Sequence, residues 1–517
     1  MNLKSKFFAA SSLLLASGAL LSSAYAEKLV ILHTNDTHSQ IDPDEKTGMG
    51  GILRRKVVID SVREANKNVM LIDAGDVVQG TLFFNLYRGE VENMLMNKLG
   101  YDIRILGNHE FDNGVDELAK NYANTTSELI STNYELSATP LGKEFKPYTT
   151  RRFGDKKIGF IAINLDPKGM IAEGNYDGVK YLDPYDAANS MAWYLKHIDT
   201  CDYVIALSHI GYEPENTTIA DIPMIEKSKD IDLVIGGHTH TLINPADKNS
   251  PRNYAVNLIG DTVTVTQVGK GGKYIGCSEI DLETGRIDYK LIPIDARLDS
   301  KIDPKLEALL VPYRHGVDSL MTTPLAQSAI ELRNNEAPLL NFVADFIRDN
   351  GNRLLKESKV SGKKTVDLAI INKGGLRRSL PKGGVSEGMI ITMMPFANRT
   401  SVVDIKGKDL IAVLDTMAGR GGDGVSSEME VVFDPASKKI VEAEISGKKL
   451  DPEATYRVAT IDYLAHGGDY LTGFLNSTPV AVSDSVLFDD LISYLRKNYS
   501  KKKINPSAKV RMRPLKK

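Results

Sequence analysis

Five short runs in the first half of the chain are almost continuously apolar, and each breaks off into polar residues. They are "LVILHTNDTH" from Leu29, "NVMLIDAGD" to Asp76, "IRILGNHEFD" to Asp112, "DYVIALSHIG" around His209, and "DLVIGGHTH" to His240. Such runs, rich in Val, Ile and Leu without polar alternation, predict strands buried on both faces of a sheet. Segments of helical period lie between them, over 52–66 and 115–123, so the first half reads as αβ repeats. In folds of that kind the loops at the carboxyl ends of the strands meet in one crevice.

The pattern changes in the second half. "QVGKGGKYIGCSEIDLETGRID" reads as the last hairpin of the first domain, and "DPKLEALLVPYRHGVDSL" has the period and charge of a helix. Beyond Leu325 come a helix expected over 337–349, a strand in "VDLAIINKGGLR", and then a series of short β runs. Regular alternation has given way to a mixed α+β unit. The expected division is a leader over 1–26, a first domain over 27–303, a helical connector over 304–325 and a smaller α+β domain over 326–517. No internal repeat or low-complexity segment is present.

Length and composition narrow this little. A chain of 517 residues exceeds one core, and 42% hydrophobic with 25% charged residues is ordinary for a globular protein. The net charge of −3 argues against a dedicated nucleic-acid binder, and the Lys-rich end "KKKINPSAKVRMRPLKK" reads as a solvated tail. At the other end Lys4 and Lys6 precede an apolar run from Phe7 to Leu21, and Ala24-Tyr25-Ala26 supplies a small-x-small cleavage pattern. This predicts a secretory leader cut after Ala26. The run falls short of the ~20 apolar residues that a spanning helix needs. A protein exported across the inner membrane follows, periplasmic or extracellular, without a stable membrane anchor. Its two cysteines, Cys201 and Cys277, lie in strand-like apolar runs and read as buried thiols, although an oxidising compartment leaves a pair open.

The strand ends carry the chemistry. Asp36, His38, Asp76, Asn108, His209, His238 and His240 bring two carboxylates, an amide and four imidazoles to one rim. These are ligands for divalent Mn, Zn, Co, Fe or Mg rather than for soft thiophilic ions. Their number exceeds one four-coordinate site and suits two ions sharing a carboxylate, an arrangement that clamps both oxygens of in-line phosphoryl transfer. His197 and His315, away from any strand end, read as structural.

The motifs "HTNDTH", "GDVVQG", "GNHEFD", "SHIG" and "GGHTH", in that order and spacing, resemble the calcineurin-like metallophosphoesterases. More narrowly they resemble the 5′-nucleotidase and UDP-sugar hydrolase family. That resemblance implies a four-layer α/β/β/α domain followed by the α+β substrate-binding domain. It also implies one metal on Asp36, His38, Asp76 and His240, and another on Asp76, Asn108, His209 and His238. His109 would donate to the phosphoryl group with Asp112 orienting it, while Glu110 and Asp73 would support the ligands. Hydrolysis would proceed by attack of metal-bound hydroxide, without a phosphoenzyme.

In the second domain "INKGGLRRSL", "MPFANRT" and "DYLAHGGDYL" resemble the family's nucleotide-binding segments. By that resemblance Asn372 contacts the base, Arg377 the phosphate or ribose side, Phe396 and Tyr463 stack on the base, and Asp469 holds ribose hydroxyls. Lys373 replaces a glycine, His466 replaces an asparagine, and Asn335 stands where an arginine is usual, with Arg333 close by. The expected activity is hydrolysis of nucleoside 5′-monophosphates. A nucleotide-sugar or dinucleotide pyrophosphatase, a 2′,3′-cyclic-nucleotide phosphodiesterase and a non-catalytic nucleotide-binding protein are the alternatives. Base preference and oligomeric state stay open.

Overall fold

The computed structural model describes residues 27–214, 218–358 and 362–515. The expected leader, residues 1–26, lies outside them. The first strand, Lys28–Thr34, shows why the apolar runs lack alternation. Leu29 and Ile31 enter one core with Met70, Ile72, Phe160 and Ile205. Val30 and Leu32 enter another with Ile52, Ile59, Leu95 and Leu306. Each face of the strand is covered, so each needs apolar side chains.

A seven-stranded sheet runs in the order Ile287–Pro293, Tyr274–Asp281, Lys28–Thr34, Val69–Asp73, Ile103–Arg104, Glu128–Ile130, Phe145–Lys146. A six-stranded sheet runs Tyr254–Val256, Thr262–Thr266, Leu233–Ile235, Tyr203–His209, Lys156–Asn164, Tyr148–Phe153. The sheets face each other across the first core. Helices Ile52–Ala65, Glu90–Leu99 and the start of Pro304–Thr322 cover the outer face of one. Helices Pro184–His197 and Asp221–Glu226 cover the outer face of the other. This is the expected four-layer α/β/β/α arrangement. Lys28–Thr34, Val69–Asp73 and Ile103–Arg104 are parallel, as are Tyr203–His209 and Leu233–Ile235, so within each sheet the carboxyl ends share an edge.

The helix Pro304–Thr322 starts with Asp303 accepting from the Lys305 amide at 2.9 Å and Pro304 in the first turn. It joins two cores. Leu306 and Leu310 are buried in the first domain, Leu320 and Met321 pack on the second, and Val317 touches both. Past it, a five-stranded mixed sheet holds Gly424–Val425, Leu368–Ile371, Thr455–Ile461, Arg399–Lys406 and Thr478–Val486 in that order.

Two expectations need correction. The helix read over 337–349 runs to Glu357. Asn350-Gly351 resembles a stop signal, but a Cβ on Gly351 would lie 2.7 Å from the Ala459 side chain. Glycine there lets the helix lie close on the strand Thr455–Ile461 rather than ending it. The C-terminal stretch is not simply a solvated tail. Met512–Pro514 pairs in parallel with Met429–Asp434, Arg511 forks onto the Asp345 carboxylate at 2.8 and 2.7 Å, and Asn341 donates to the carbonyls of Ser507 and Lys509. Cys201 and Cys277 are both buried and unpaired, as the apolar runs around them suggested. No helix among the described residues is long and apolar enough to cross a membrane.

Candidate functional site

The five strand ends meet on one rim, and the backbone there is unusual. Asp36, His38, Asp76, His238 and His240 all have φ between 48° and 80°. Non-glycine residues adopt this region seldom, at a cost of about 1–3 kcal/mol each. Cross-links between loops hold them in place. The Asp36 amide donates to Gly75 O at 2.9 Å and the His38 amide to Asp76 O at 3.0 Å. The buried Glu110 carboxylate accepts from the amides of Gly107, Asp76 and Val77 at 2.5, 3.0 and 2.8 Å. Gly107 has no alternative, because a Cβ would fall 2.2 Å from Asp76 Oδ1. Asp73 accepts from Thr34 Oγ1 at 2.6 Å and the Gly75 amide at 3.0 Å, anchoring the same loop.

The side chains then converge. His38 Nε2 lies 2.9 Å from His240 Nε2, and His240 Nε2 lies 3.4 Å from Asp36 Oδ1. Asp76 Oδ2 is 3.1 Å from His209 Nε2 and 4.0 Å from His38 Nε2, which places it between the two halves of the set. His238 Nδ1 lies 3.1 Å from Asn108 Oδ1. Two groups of three potential ligands result, Asp36–His38–His240 and Asp76–His209–His238. A third group, His38–Asp76–His109, overlaps them. His209 Nδ1 sits 2.7 Å from the Ala74 carbonyl, which fixes the proton there and turns Nε2 toward Asp76.

The electrostatics agree with a cation site. Burial pushes the Asp36 carboxyl up to about 7 despite the opposing pull of His209. Burial would also raise Asp76, but His209 and His109 outweigh it and hold that carboxyl well below its usual range. Burial, with His209 nearby, brings His238 down to about 3, and burial with Lys270 does the same to His240. Burial also holds His38 well below its ordinary value, whereas at His209 burial is overcome by the facing Asp76 carboxylate, which raises it to about 10. Neutral His38, His238 and His240 beside carboxylates and an amide oxygen fit hard or borderline divalent ions. His109 sits beside this set. Burial lowers its pKa, but Asp112 at 2.9 Å and Asp76 together raise it.

The rim opens into a cleft of about 670 Å³ between the domains. All five residues expected to bind substrate, Asn372, Arg377, Phe396, Tyr463 and Asp469, line it together with His109 and Asp112. Phe396 stacks on His109 with ring centroids 5.9 Å apart, and Arg377 lies 5.9 Å over the Phe396 ring. Asn372 Nδ2 donates to Asp469 Oδ2 at 2.5 Å. Tyr463 donates from its hydroxyl, 3.1 Å from Asp469 Oδ1 and 2.9 Å from the Gly169 carbonyl. Phe396 and Tyr463 make no direct ring contact with each other among the described residues.

A family model of calcineurin-like phosphoesterases matches residues 29–242, and one of the 5′-nucleotidase C-terminal domain matches residues 319–476. The chain belongs to the 5′-nucleotidase family of calcineurin-like phosphoesterases. Human 5′-nucleotidase is 28% identical over 510 residues, spanning 89% of this chain and 87% of that protein. The trifunctional nucleotide phosphoesterase protein YfkN of Bacillus subtilis is 27% identical over 507 residues, and this chain spans 32% of its length. The crystal structure of the 5′-nucleotidase precursor from Thermus thermophilus matches with a TM-score of 0.79 and 28% identity, covering 95% of this chain and 100% of that one.

Several residues of this phosphoesterase's cleft escaped the sequence. Asn85 and Arg88 come from a helix and its end, and Met170 and Glu173 from the loop after Lys156–Asn164. That strand is a sixth apolar run ending in polar residues, "GFIAINLD", so the same signal was present. Of the departures from the family pattern, His466 lines the cleft. Arg333 does not. It is exposed and held by Glu331 at 3.0 Å and Glu336 at 3.8 Å. His197 pairs with Asp230 at 3.2 Å on the surface, consistent with a structural role.

Proposed function

We propose that this protein is an exported, dimetal-dependent 5′-nucleotidase that converts nucleoside 5′-monophosphates to nucleoside and phosphate. The observation that carries the reading is the junction of two chemistries in one cleft. A carboxylate–imidazole–amide rim ends where Phe396 stacks on His109. A phosphoryl group at the rim thus lies within reach of an aromatic surface suited to a base.

Asp36, His38, Asp76 and His240 would hold one ion, and Asp76, Asn108, His209 and His238 the other, with Asp76 shared. Bound there, divalent metal supplies Lewis acidity to the phosphoryl oxygens and lowers the pKa of a water. His109 donates from Nε2 to the phosphoryl group, since Nδ1 faces the Asp112 carboxylate. Asp112 fixes the ring and favours its charged form, placing a donor where negative charge grows. Arg377 adds a second cation at the same place. Asn372, Tyr463 and Asp469 form one hydrogen-bonded wall of the cleft, in which the Asp469 carboxylate would accept from a nucleoside. The four-part division at 26, 303 and 325 is part of this reading, with the leader directing export to the periplasm or beyond.

Product analysis tests it. Purified mature protein with added Mn, Zn, Mg or Co would be offered AMP, UDP-glucose, NAD and 2′,3′-cyclic AMP. Adenosine and phosphate from AMP are expected. If AMP persists while UDP-glucose or NAD yields a nucleoside monophosphate, the protein is instead a pyrophosphatase. The volume and the extra polar residues of the cleft make that the second reading.

A further inference from the structure

From residue 491 to its end the chain carries ten Lys or Arg and no Asp or Glu, although its net charge is −3. The stretch is pinned to the second domain. Ile504 is fully buried, donates its amide to the Gln327 carbonyl at 2.8 Å and accepts from the Ala329 amide at 2.9 Å. Tyr499 packs edge-to-face on Phe342, and Asn341 holds the Ser507 and Lys509 carbonyls at 2.8 and 2.9 Å. Between these pins Lys501, Lys502 and Lys503 stand in a row, all exposed. Lys497, also exposed, lies in the last turn of helix Leu487–Asn498. Exposed Lys382 comes from another segment. Its neighbour Gly383 and Ile504 pair with opposite edges of Ser328, so their backbones lie two strand spacings apart, ~10 Å.

Other cations of the stretch already have partners. Arg496 pairs with Glu387, Lys509 with Glu430 and Arg511 with Asp345. No carboxylate pairs with Lys382, Lys497, Lys501, Lys502 or Lys503 among the described residues. Like charges gathered on one face without counter-ions repel one another, and an anionic partner relieves them.

The chemistry of the face selects that partner. Single-stranded nucleic acid is held by open aromatic rings on which bases stack, and phosphates are gripped by guanidinium forks. Here the ring within the row, Tyr499, is covered by the Lys502 ammonium 4.6 Å from its centroid. Lysines are mobile point charges, which suit a fluid layer of anionic headgroups with no fixed geometry. Val510 and Leu515 of the same stretch are apolar and exposed, as expected of side chains that enter a headgroup layer.

We propose that Lys382, Lys497, Lys501, Lys502 and Lys503 form a face that docks this protein reversibly on an anionic phospholipid bilayer. The helix that ends beside Lys497 begins at the interdomain cleft, which Phe488 lines. It has 12 residues and so spans ~18 Å, which sets the cleft back from the docked end. The inference is independent of the nucleotidase reading.

Sedimentation of the mature protein with vesicles tests it, using phosphatidylcholine alone and equal parts of phosphatidylcholine and phosphatidylglycerol. Binding is expected to the mixed vesicles only, and it should fall steeply with added salt. Each lysine near such a surface contributes about a fivefold gain, so Lys501→Gln, Lys502→Gln and Lys503→Gln combined should weaken binding about a hundredfold. Lys382→Gln, on its separate segment, should weaken it about fivefold. A control with Lys46→Gln, Lys143→Gln and Lys248→Gln removes the same charge from exposed sites on the first domain and should leave binding unchanged. Absence of binding to the mixed vesicles, or an equal loss in the control, overturns the proposal. So does binding of a single-stranded oligonucleotide in place of the vesicles.

Discussion

Phe396 of the C-terminal domain stacks on His109 of the metal domain, with ring centroids 5.9 Å apart and an interplanar angle of 22°. The contact crosses the domain boundary, and under the nucleotidase proposal it would join base recognition to phosphoryl chemistry. Phe396→Ala should raise KM for AMP about tenfold, because base–aromatic stacking contributes about 1–3 kcal/mol per base. Glycerol phosphate, which has no base, serves as the control substrate. An equal loss on both substrates would show that Phe396 acts through His109 instead.

His109 depends on Asp112 for its charge. Burial works against protonation, and Asp112 and Asp76 overcome it. Asp112→Asn removes one of those two supports, so activity that needs protonated His109 should fail at lower pH. The alkaline limb of the kcat/KM profile is expected to move toward acid, with kcat down about a hundredfold. A profile that keeps its alkaline limb would remove His109 from the role of donor.

Glu110 holds the loop that carries Asp76 through three backbone amides, those of Gly107, Asp76 and Val77. In Glu110→Gln one acceptor becomes a donor facing a donor. Divalent-metal affinity should fall about 10–100-fold, as for other residues that orient ligands. Metal titration reads this directly, and unchanged affinity would leave Glu110 without influence on the rim.

His33 is fully buried, stacks on Tyr289 at 5.9 Å, and its ring nitrogens have no hydrogen-bond partner among the described residues. Burial depresses its pKa to about 3. The unfolded chain protonates this histidine near its ordinary value of about 6.5, so it binds protons that the folded chain refuses. The stability it contributes is present above about pH 6.5 and is lost as pH falls toward 3, by up to about 1.4 kcal/mol per pH unit. Denaturant midpoints of wild type and His33→Phe between pH 4 and 7 should diverge, the wild type falling more steeply. Parallel curves would contradict this.

The convergence of the candidate ligands on one rim was legible because strands covered on both faces must be apolar throughout, which makes a sudden Asp-Thr-His or Asn-His-Glu stand out. The same runs marked buried strands in αβ repeats, while the four-layer arrangement was expected from the family resemblance of the motifs that end them. The left-handed backbone at Asp36, His38 and Asp76 was not legible, since no glycine marks those positions and cross-loop hydrogen bonds impose the conformation. The helix expected over 337–349 was too short because the close approach of Gly351 to Ala459, a tertiary contact, carries it on to Glu357. The final stretch misled because Lys501, Lys502, Lys503 and Lys509 are exposed while Arg511 and Met512 are buried. Arg333 could not be placed by spacing either; its neighbours Glu331 and Glu336 capture it.

The most direct measurement is phosphate release from AMP by purified protein, compared with and without chelator and with His109→Ala. Fast release with added divalent metal is expected, abolished by the chelator and reduced about a hundredfold or more in the variant. Release that survives chelation, or that His109→Ala leaves intact, would contradict a metal rim working with His109 as its donor.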